Sequence, residues 1–350
     1  MSKRIKTAIL GASGYTGADA IRLALRHPNI ELVALTANAH AGKPIGAVFE
    51  HLQGMGLPDL VRIEQLNWTD IDCVICALPH GTTQATTQAI RAANPECVVV
   101  DMSADFRLRD PETYATWYGL EHAAPDLQPQ AAYGLTEHNR DAIRAAKIIA
   151  CPGCFPTAAL TALLPPLGEG DISGDDIIID AKTGISGAGR GLKQGMLFSE
   201  AGEGTSPYGV GHHRHMPEIE QELSKIAGEP ITVGFTPHLV PMVRGELLTC
   251  HVRLAPGKSA QDVRTTLMRR YAEEPFVHVL PEGGIPKTQN VRGSNMVHLG
   301  VFADRLPGRV IIVAALDNLV KGSAGQALQN LNLAFGLDET LALEQVALFP

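Results

Sequence analysis

The stretch Ile5-Lys6-Thr7-Ala8-Ile9-Leu10-Gly11-Ala12-Ser13-Gly14-Tyr15-Thr16-Gly17 decides how the chain is read. Its first six residues form a short apolar run of the kind a buried strand needs. The next seven put glycines at 11, 14 and 17, the spacing of a strand-to-helix turn that lets another backbone or a ligand approach closely. A helix following such a turn aims its free N–H groups and positive dipole end at whatever lies above the glycines, which suits a pyrophosphate. The pattern predicts that helix over 18–26, with Ile21, Ala24 and Leu25 on one face and Pro28 as its stop.

Working outward, apolar runs at 31–35, 71–78 and 98–100 alternate with helical patterns, which favours a parallel sheet covered by helices on both faces. After Cys154 the grammar changes. Runs at 177–180, 231–235, 247–254, 297–302 and 310–315 read as strands, the last two joined through Pro307-Gly308 as an antiparallel pair, with a helix over 260–271. The expectation is an α/β protein with three parts. These are a Rossmann-like nucleotide-binding domain over 1–150, an α+β catalytic domain with a mixed, largely antiparallel sheet over 151–320, and a segment 321–350 returning to the first domain. In that last segment Ala327, Leu331 and Ala334 form one apolar stripe of a helix over 324–335. Nine glycines fall from Gly184 to Gly211 with little periodicity, which reads as an active-site loop.

At roughly 150 residues per domain, 350 residues also suggest two domains. The net charge of 29 − 37 = −8, with basic residues scattered, disfavours a nucleic-acid partner. No apolar run approaches the ~20 residues of a membrane span, and Met1-Ser2-Lys3-Arg4-Ile5-Lys6 lacks the apolar core of an export signal, so the expected compartment is the cytoplasm. Six cysteines are too few for a disulfide scaffold.

The glycine turn nominates Gly11, Ser13, Gly14, Tyr15, Thr16 and Gly17 as cofactor contacts. NAD sites usually carry Asp or Glu at the end of the second strand for the ribose 2′-hydroxyl. Here that strand ends in Thr36-Ala37-Asn38-Ala39, so a 2′-phosphate meets no carboxylate, and Thr36 or Asn38 can donate to it. NADP(H) is the expected cofactor.

Cys151-Pro152-Gly153-Cys154-Phe155-Pro156-Thr157 precedes an apolar helix, and Pro156 fits a first helical turn. Cys154 then sits at a helix N-terminus, where dipole and N–H groups favour thiolate. A redox pair with Cys151 is motivated only by their spacing. A zinc site shared with Cys73 and Cys76 is disfavoured because strand residues three apart face opposite ways, and no metal is expected. His212-His213-Arg214-His215-Met216-Pro217-Glu218 leads into another helix and offers a proton acceptor, with His213 and His215 both open as candidates. Arg107, following a strand, and Arg244, between two strands, can each clamp an oxyanion.

Together with Tyr133-Gly134-Leu135-Thr136-Glu137, Ser186-Gly187-Ala188-Gly189-Arg190 and Asp317-Asn318-Leu319-Val320-Lys321-Gly322, these segments resemble the N-acetyl-γ-glutamyl-phosphate reductases over nearly the whole chain. The looser plan is similar to that of aspartate-semialdehyde dehydrogenases. The resemblance implies an NADP-dependent homo-oligomer in which Cys154 is the nucleophile and His215 the catalytic histidine. It places Arg107 toward the substrate and Asn318 near the nicotinamide; Arg244 and His213 are further candidate substrate contacts, and Ser186 and Gly187 further candidate cofactor contacts. The family usually has Asn where Cys151 stands and Tyr where Phe155 stands. The implied chemistry is thiolate attack on an acyl phosphate, loss of phosphate, hydride reduction of the thioester in a cleft between the domains, and release of a semialdehyde. His215 would protonate the alkoxide or relay the thiol proton. The alternatives are a reductase of an aminoadipyl or carrier-bound acyl phosphate, a non-catalytic NADP-binding sensor and a metal-dependent hydrolase.

Overall fold

Ile5–Leu10 forms β1, and Tyr15–Ala24 forms α1. The helix begins three residues before the periodicity predicts, because Gly14 adopts an extended N-cap conformation (φ −86°, ψ 167°) that a reading of apolar spacing does not register. A computed structural model describes residues 4–350; Met1, Ser2 and Lys3 of the basic start lie outside the described residues. There follow β2 (Ile30–Thr36), β3 (Leu60–Val61), β4 (Cys73–Cys76), α2 (Thr83–Ala93), β5 (Val98–Asp101), α3 (Pro111–Tyr118), β6 (Ala131–Tyr133), α4 (Thr136–Ala145) and β7 (Ile148–Ala150). These seven strands make one sheet in the order β3-β2-β1-β4-β5-β7-β6, parallel throughout. Strands buried on both faces read as continuous apolar runs, and Val98–Val100 and Cys73–Cys76 are buried at every position.

The second group comprises α5 (Cys154–Gly168), β8 (Ile177–Gly184), α6 (Phe198–Ala201), β9 (Ser206–Pro207), α7 (Met216–Ala227), β10 (Val233–Val240), β11 (Glu246–Arg253), α8 (Ala260–Arg270), β12 (Val277–Val279), β13 (Val297–Ala303) and β14 (Arg309–Leu316). Its seven-stranded sheet runs β12-β13-β14-β11-β8-β10-β9, with four antiparallel and two parallel pairings. Burial alternates along β8, β11 and β14. Ile179, Cys250 and Ile312 share the buried face, while Ile178, His251 and Ile311 share the other. α5 packs against β11, β14, α7 and α8, and nearly all of its residues are buried, as an almost wholly apolar helix requires.

A π turn, Val320–Ala324, leads into α9 (Gly325–Ala334). This helix packs against α1, α4 and β5. The apolar stripe read from Ala327, Leu331 and Ala334 understates its burial, since Gln326, Gln329, Asn330 and Asn332 on its other faces are fully buried too. The amides of Asn330, Gln329 and Asn332 bond inside: Asn330 donates to the Gly134 carbonyl (2.8 Å) and accepts from the Thr136 hydroxyl (2.8 Å).

The chain divides into Met1–Pro152 with Ser323–Glu344, and Gly153–Gly322 with Gln345–Pro350. The division differs from the expected ranges at both ends. Cys151 stays with the first unit because its N–H donates to the Asp101 carbonyl (2.8 Å). The last six residues leave the first unit because Leu348 donates to the Arg292 carbonyl (2.8 Å) and covers Gly293. The glycine-rich stretch over 184–211 is broken by two 3₁₀ turns, α6 and β9, and Leu192 and Phe198 stand out from it at 99% and 88% exposure. Among the described residues no helix is long and apolar enough to cross a membrane.

Gly11 holds φ +74°, and a Cβ there would lie 2.3 Å from the Ala77 carbonyl oxygen. Gly11→Ala combines left-handed strain with a backbone collision, so it should cost about 2 kcal/mol or more. A urea midpoint unchanged from wild type would contradict this reading of the turn.

Candidate active site

Gly153 is the extended N-cap of α5 (φ −63°, ψ 159°), Pro156 occupies the first turn, and Cys154 is therefore the first helical residue. A Cβ on Gly153 would fall 2.4 Å from His215 Nε2, so the histidine ring rests on the backbone beside the cysteine. The Gly153 N–H donates to Glu218 Oε1 at 2.9 Å, and Glu218 is buried. Both partners belong to the start of α7: His215 is its N-cap, Pro217 lies in its first turn, and Glu218 follows. A buried carboxylate accepting a backbone N–H is a charge-assisted bond, stronger than a neutral one.

His213 serves this arrangement rather than facing outward. Its Nδ1 accepts the His215 backbone N–H (3.2 Å), and its ring lies 4.8 to 5.8 Å from those of His215, Phe235, Tyr208 and Phe155. Burial first, and the Arg214 charge second, push its pKa down to about 4. His212 is exposed.

On the other side of Cys154, a Cβ on Gly322 would sit 2.7 Å from the Cys154 Cβ, so the π turn packs its bare backbone against the nucleophile. Glu246, the first residue of β11, is completely buried. Burial raises its carboxyl to about 8; the Cys154 thiol beside it favours the ionised form, and the Asp317 charge opposes it. Burial raises the Tyr208 phenol as well, with further contributions from Cys154 and Glu246. Arg244 faces Asp317 (3.6 Å), which also accepts N–H bonds from Gly293, Leu319 and Val320. Asn318 donates to Ser186 Oγ (3.0 Å) and accepts from the Gly245 N–H (2.9 Å), joining three loops in one knot that also borders Gly187.

In the first unit the β1–α1 turn fits a dinucleotide. No side chain caps Gly14, and first-turn N–H groups have no intrahelical acceptor. Thr36 is buried, and its hydroxyl accepts the Gly11 N–H (3.2 Å), so it shapes the turn; Asn38 is the exposed residue at that strand end. Arg107 is buried and donates to the carbonyls of Cys151 (2.7 Å) and Met102 (2.9 Å), bracing the segment ahead of Cys154. Burial raises the Cys151 thiol to about 12, partly offset by the Asn330 amide.

Two family models match the chain: a semialdehyde dehydrogenase NAD binding domain over residues 6–146 and a semialdehyde dehydrogenase dimerisation domain over 154–318. An N-acetyl-γ-glutamyl-phosphate reductase from Afipia carboxidovorans is 53% identical over 99% of both chains. The chain belongs to that reductase family. Its fold is shared more widely. Aspartate semialdehyde dehydrogenase II from Vibrio cholerae superposes with a TM-score of 0.74 at 19% identity, over 95% of this chain and 99% of that one. An aspartate semialdehyde dehydrogenase with NADP from Candida albicans gives 0.68 at 20%, over 95% and 98%. At those identities the likeness is one of fold alone.

Of the residues nominated from the sequence, Cys154, His213 and His215 converge. Ser186, Gly187 and Asn318 form a separate knot with Gly245, and Arg244 is turned to Asp317. Three members of the cysteine cluster were not nominated. Glu218 flanks the histidines, Tyr208 lies in the glycine-rich stretch, and Glu246 stands one residue before the strand expected at 247–254. A lone acidic residue opening an otherwise apolar strand was the available signal for Glu246.

A half-buried histidine held neutral makes the folded state acid-sensitive. The unfolded chain takes up a proton on His213 below pH ~6.5, whereas the folded chain resists until about 4. Stability should therefore be complete above ~6.5 and fall as the pH drops toward 4. His213→Phe should flatten that part of the profile of urea midpoint against pH, and an NMR titration of His213 with a midpoint near 6.5 would refute the assignment.

Proposed function

We propose that the protein reduces N-acetyl-L-glutamyl 5-phosphate with NADPH to N-acetyl-L-glutamate 5-semialdehyde and phosphate, a step of arginine biosynthesis, in the cytoplasm. The observation that carries the reading is the cluster around Cys154: a partly accessible cysteine at a helix start, His215 packed on the adjacent glycine, and near full-length likeness to reductases of that name. The β1–α1 turn supports the pyrophosphate of the cofactor. A strand end without a carboxylate supports the 2′-phosphate, with Asn38 as the exposed donor there.

The Cys154 sulfur attacks the γ-carbonyl, the carbon–oxygen bond to phosphate breaks, and a thioester forms. NADPH supplies the hydride that reduces this thioester. Collapse of the thiohemiacetal returns the sulfur and frees the aldehyde. His215 gives and takes the proton at the substrate oxygen, and Glu218 together with His213 holds it in place. The N-terminus of α5 favours the oxyanion in both tetrahedral states, a type of stabilisation worth roughly 3 kcal/mol. Two copies pair in this reading through the sheet face that presents Ile178, Leu247, Ile311 and Val313, which the helices of this unit leave partly exposed.

Because the acyl phosphate is labile, the test runs backward. NADP⁺ reduction is followed with N-acetylglutamate semialdehyde and phosphate for wild type and Cys154→Ser. The expected result is phosphate-dependent turnover that drops by a factor of about 10³ or more in the variant. Turnover only with an aminoadipate-type aldehyde would move the substrate, and NADPH binding without turnover on either would favour a sensor.

A further inference from the structure

Glu246 is a buried acid that the mechanism above leaves unused. It is completely inaccessible, and neither carboxylate oxygen has an aligned hydrogen-bond donor, although buried carboxylates are almost always paired. Its strand position explains why it cannot turn away. Glu246 opens β11 between Thr183 of β8 and Leu316 beside it on β14, and its side chain is on the face where α5 packs. The titratable groups around it are few. Asp317, beyond the end of β14, is engaged by Arg244 and three backbone N–H groups. Tyr208 is held as a neutral phenol. The group left to exchange a proton with Glu246 is the Cys154 thiol.

We propose that Glu246 is a catalytic residue that takes the proton of the Cys154 thiol as the sulfur attacks, leaving His215 to serve the substrate oxygen. This rests on the reductase reading for the identity of the electrophile, and on the structure of the second unit alone for the proton pair. The Cys154 S–H bond breaks and an O–H bond forms on Glu246. The sulfur electron pair makes the new carbon–sulfur bond while the carbon–oxygen bond to phosphate breaks. When the thiohemiacetal collapses, the same carboxylic acid returns the proton to the departing thiolate. Glu246 is thus uncharged beside the covalent intermediate, which spares a buried carboxylate its desolvation cost during the steps that need a quiet electrostatic background. With the carboxyl raised to about 8, the carboxylate that accepts the proton becomes the main form only as the pH rises through that value, so the step should gain rate toward mildly alkaline pH.

The test measures alkylation of Cys154 by iodoacetamide against pH, with the modified peptide identified by mass spectrometry. The other five cysteines are buried, so Cys154 reports. Two groups sharing one proton lose their protons in two macroscopic steps. Wild type should show a two-step rise, and Glu246→Gln a single step. Above the first step the glutamine variant should alkylate faster, because no carboxylate opposes the thiolate. In the reverse assay Glu246→Gln should lose about 10²-fold or more in kcat with little change in KM, and Glu246→Asp should recover part of it.

A single-step wild-type profile overturns the proposal without any variant, which covers the case of a variant that does not fold. Two steps surviving in folded Glu246→Gln overturn it as well, because the partner is then another group. If the two-step profile collapses in Glu246→Gln but wild type does not turn over acetylglutamate semialdehyde, the proton pair stands and the substrate reading fails.

Discussion

The hydrogen bond from the Gly153 N–H to the Glu218 carboxylate is the contact on which the candidate active site depends. It ties the start of α5 to the start of α7, and thereby brings the nucleophile of one helix beside the N-cap histidine of the other. Two helix N-termini carry like partial charges, so bringing them together is unfavourable unless a negative group lies between them. Glu218 is that group. The absence of a side chain on Gly153 is the second half of the constraint, because any Cβ would occupy the place of the His215 ring. His213 completes the support from behind, held by aromatic neighbours and by the backbone N–H it accepts.

The electrostatics of the second unit follow from burial more than from net charge. Glu246, Tyr208 and His213 are each driven toward the neutral form by desolvation, while Asp317 is surrounded by N–H donors and Arg244. A site with neutral acids and bases around a thiol can pass protons without building up buried charge. In the first unit the same accounting is done with amides. The four polar residues of α9 are wholly buried, and those of Asn330, Gln329 and Asn332 are bonded to α4, to the loop beyond α9 and to neighbouring backbone. That helix is specified by polar satisfaction as much as by apolar packing.

Several readings from the chain survive in detail because they rest on local physics. The turn at Gly11, Gly14 and Gly17, the strand before it, the helix start at Cys154 set by Gly153 and Pro156, and the antiparallel pairing through Pro307-Gly308 all follow from backbone preferences of a few consecutive residues. Other nominated residues also meet a distant group of their own unit, which spacing along the chain does not show. Thr36 reads as a donor to a ligand, and its hydroxyl oxygen also accepts the Gly11 N–H, a partner adjacent only through the pairing of β1 with β2. Arg107 and Arg244 looked like oxyanion clamps, and both have partners inside their own units, two carbonyls in one case and Asp317 in the other.

By itself the sequence determined the family, the α/β class, the parallel sheet and the positions of the cysteine and histidine motifs. Each of these is written in short-range spacing, where glycine, proline and apolar periodicity act on neighbouring residues. Only the tertiary structure decided that Glu218 accepts from Gly153, that His213 props His215, and that Glu246 lies against Cys154. The two carboxylate contacts join residues 65 and 92 positions apart, and sequence spacing says nothing about which group a buried carboxylate will meet. A carboxylate on the surface and one sealed beside a thiol are the same letter; their chemistry separates only when the surrounding strands and helices exclude water.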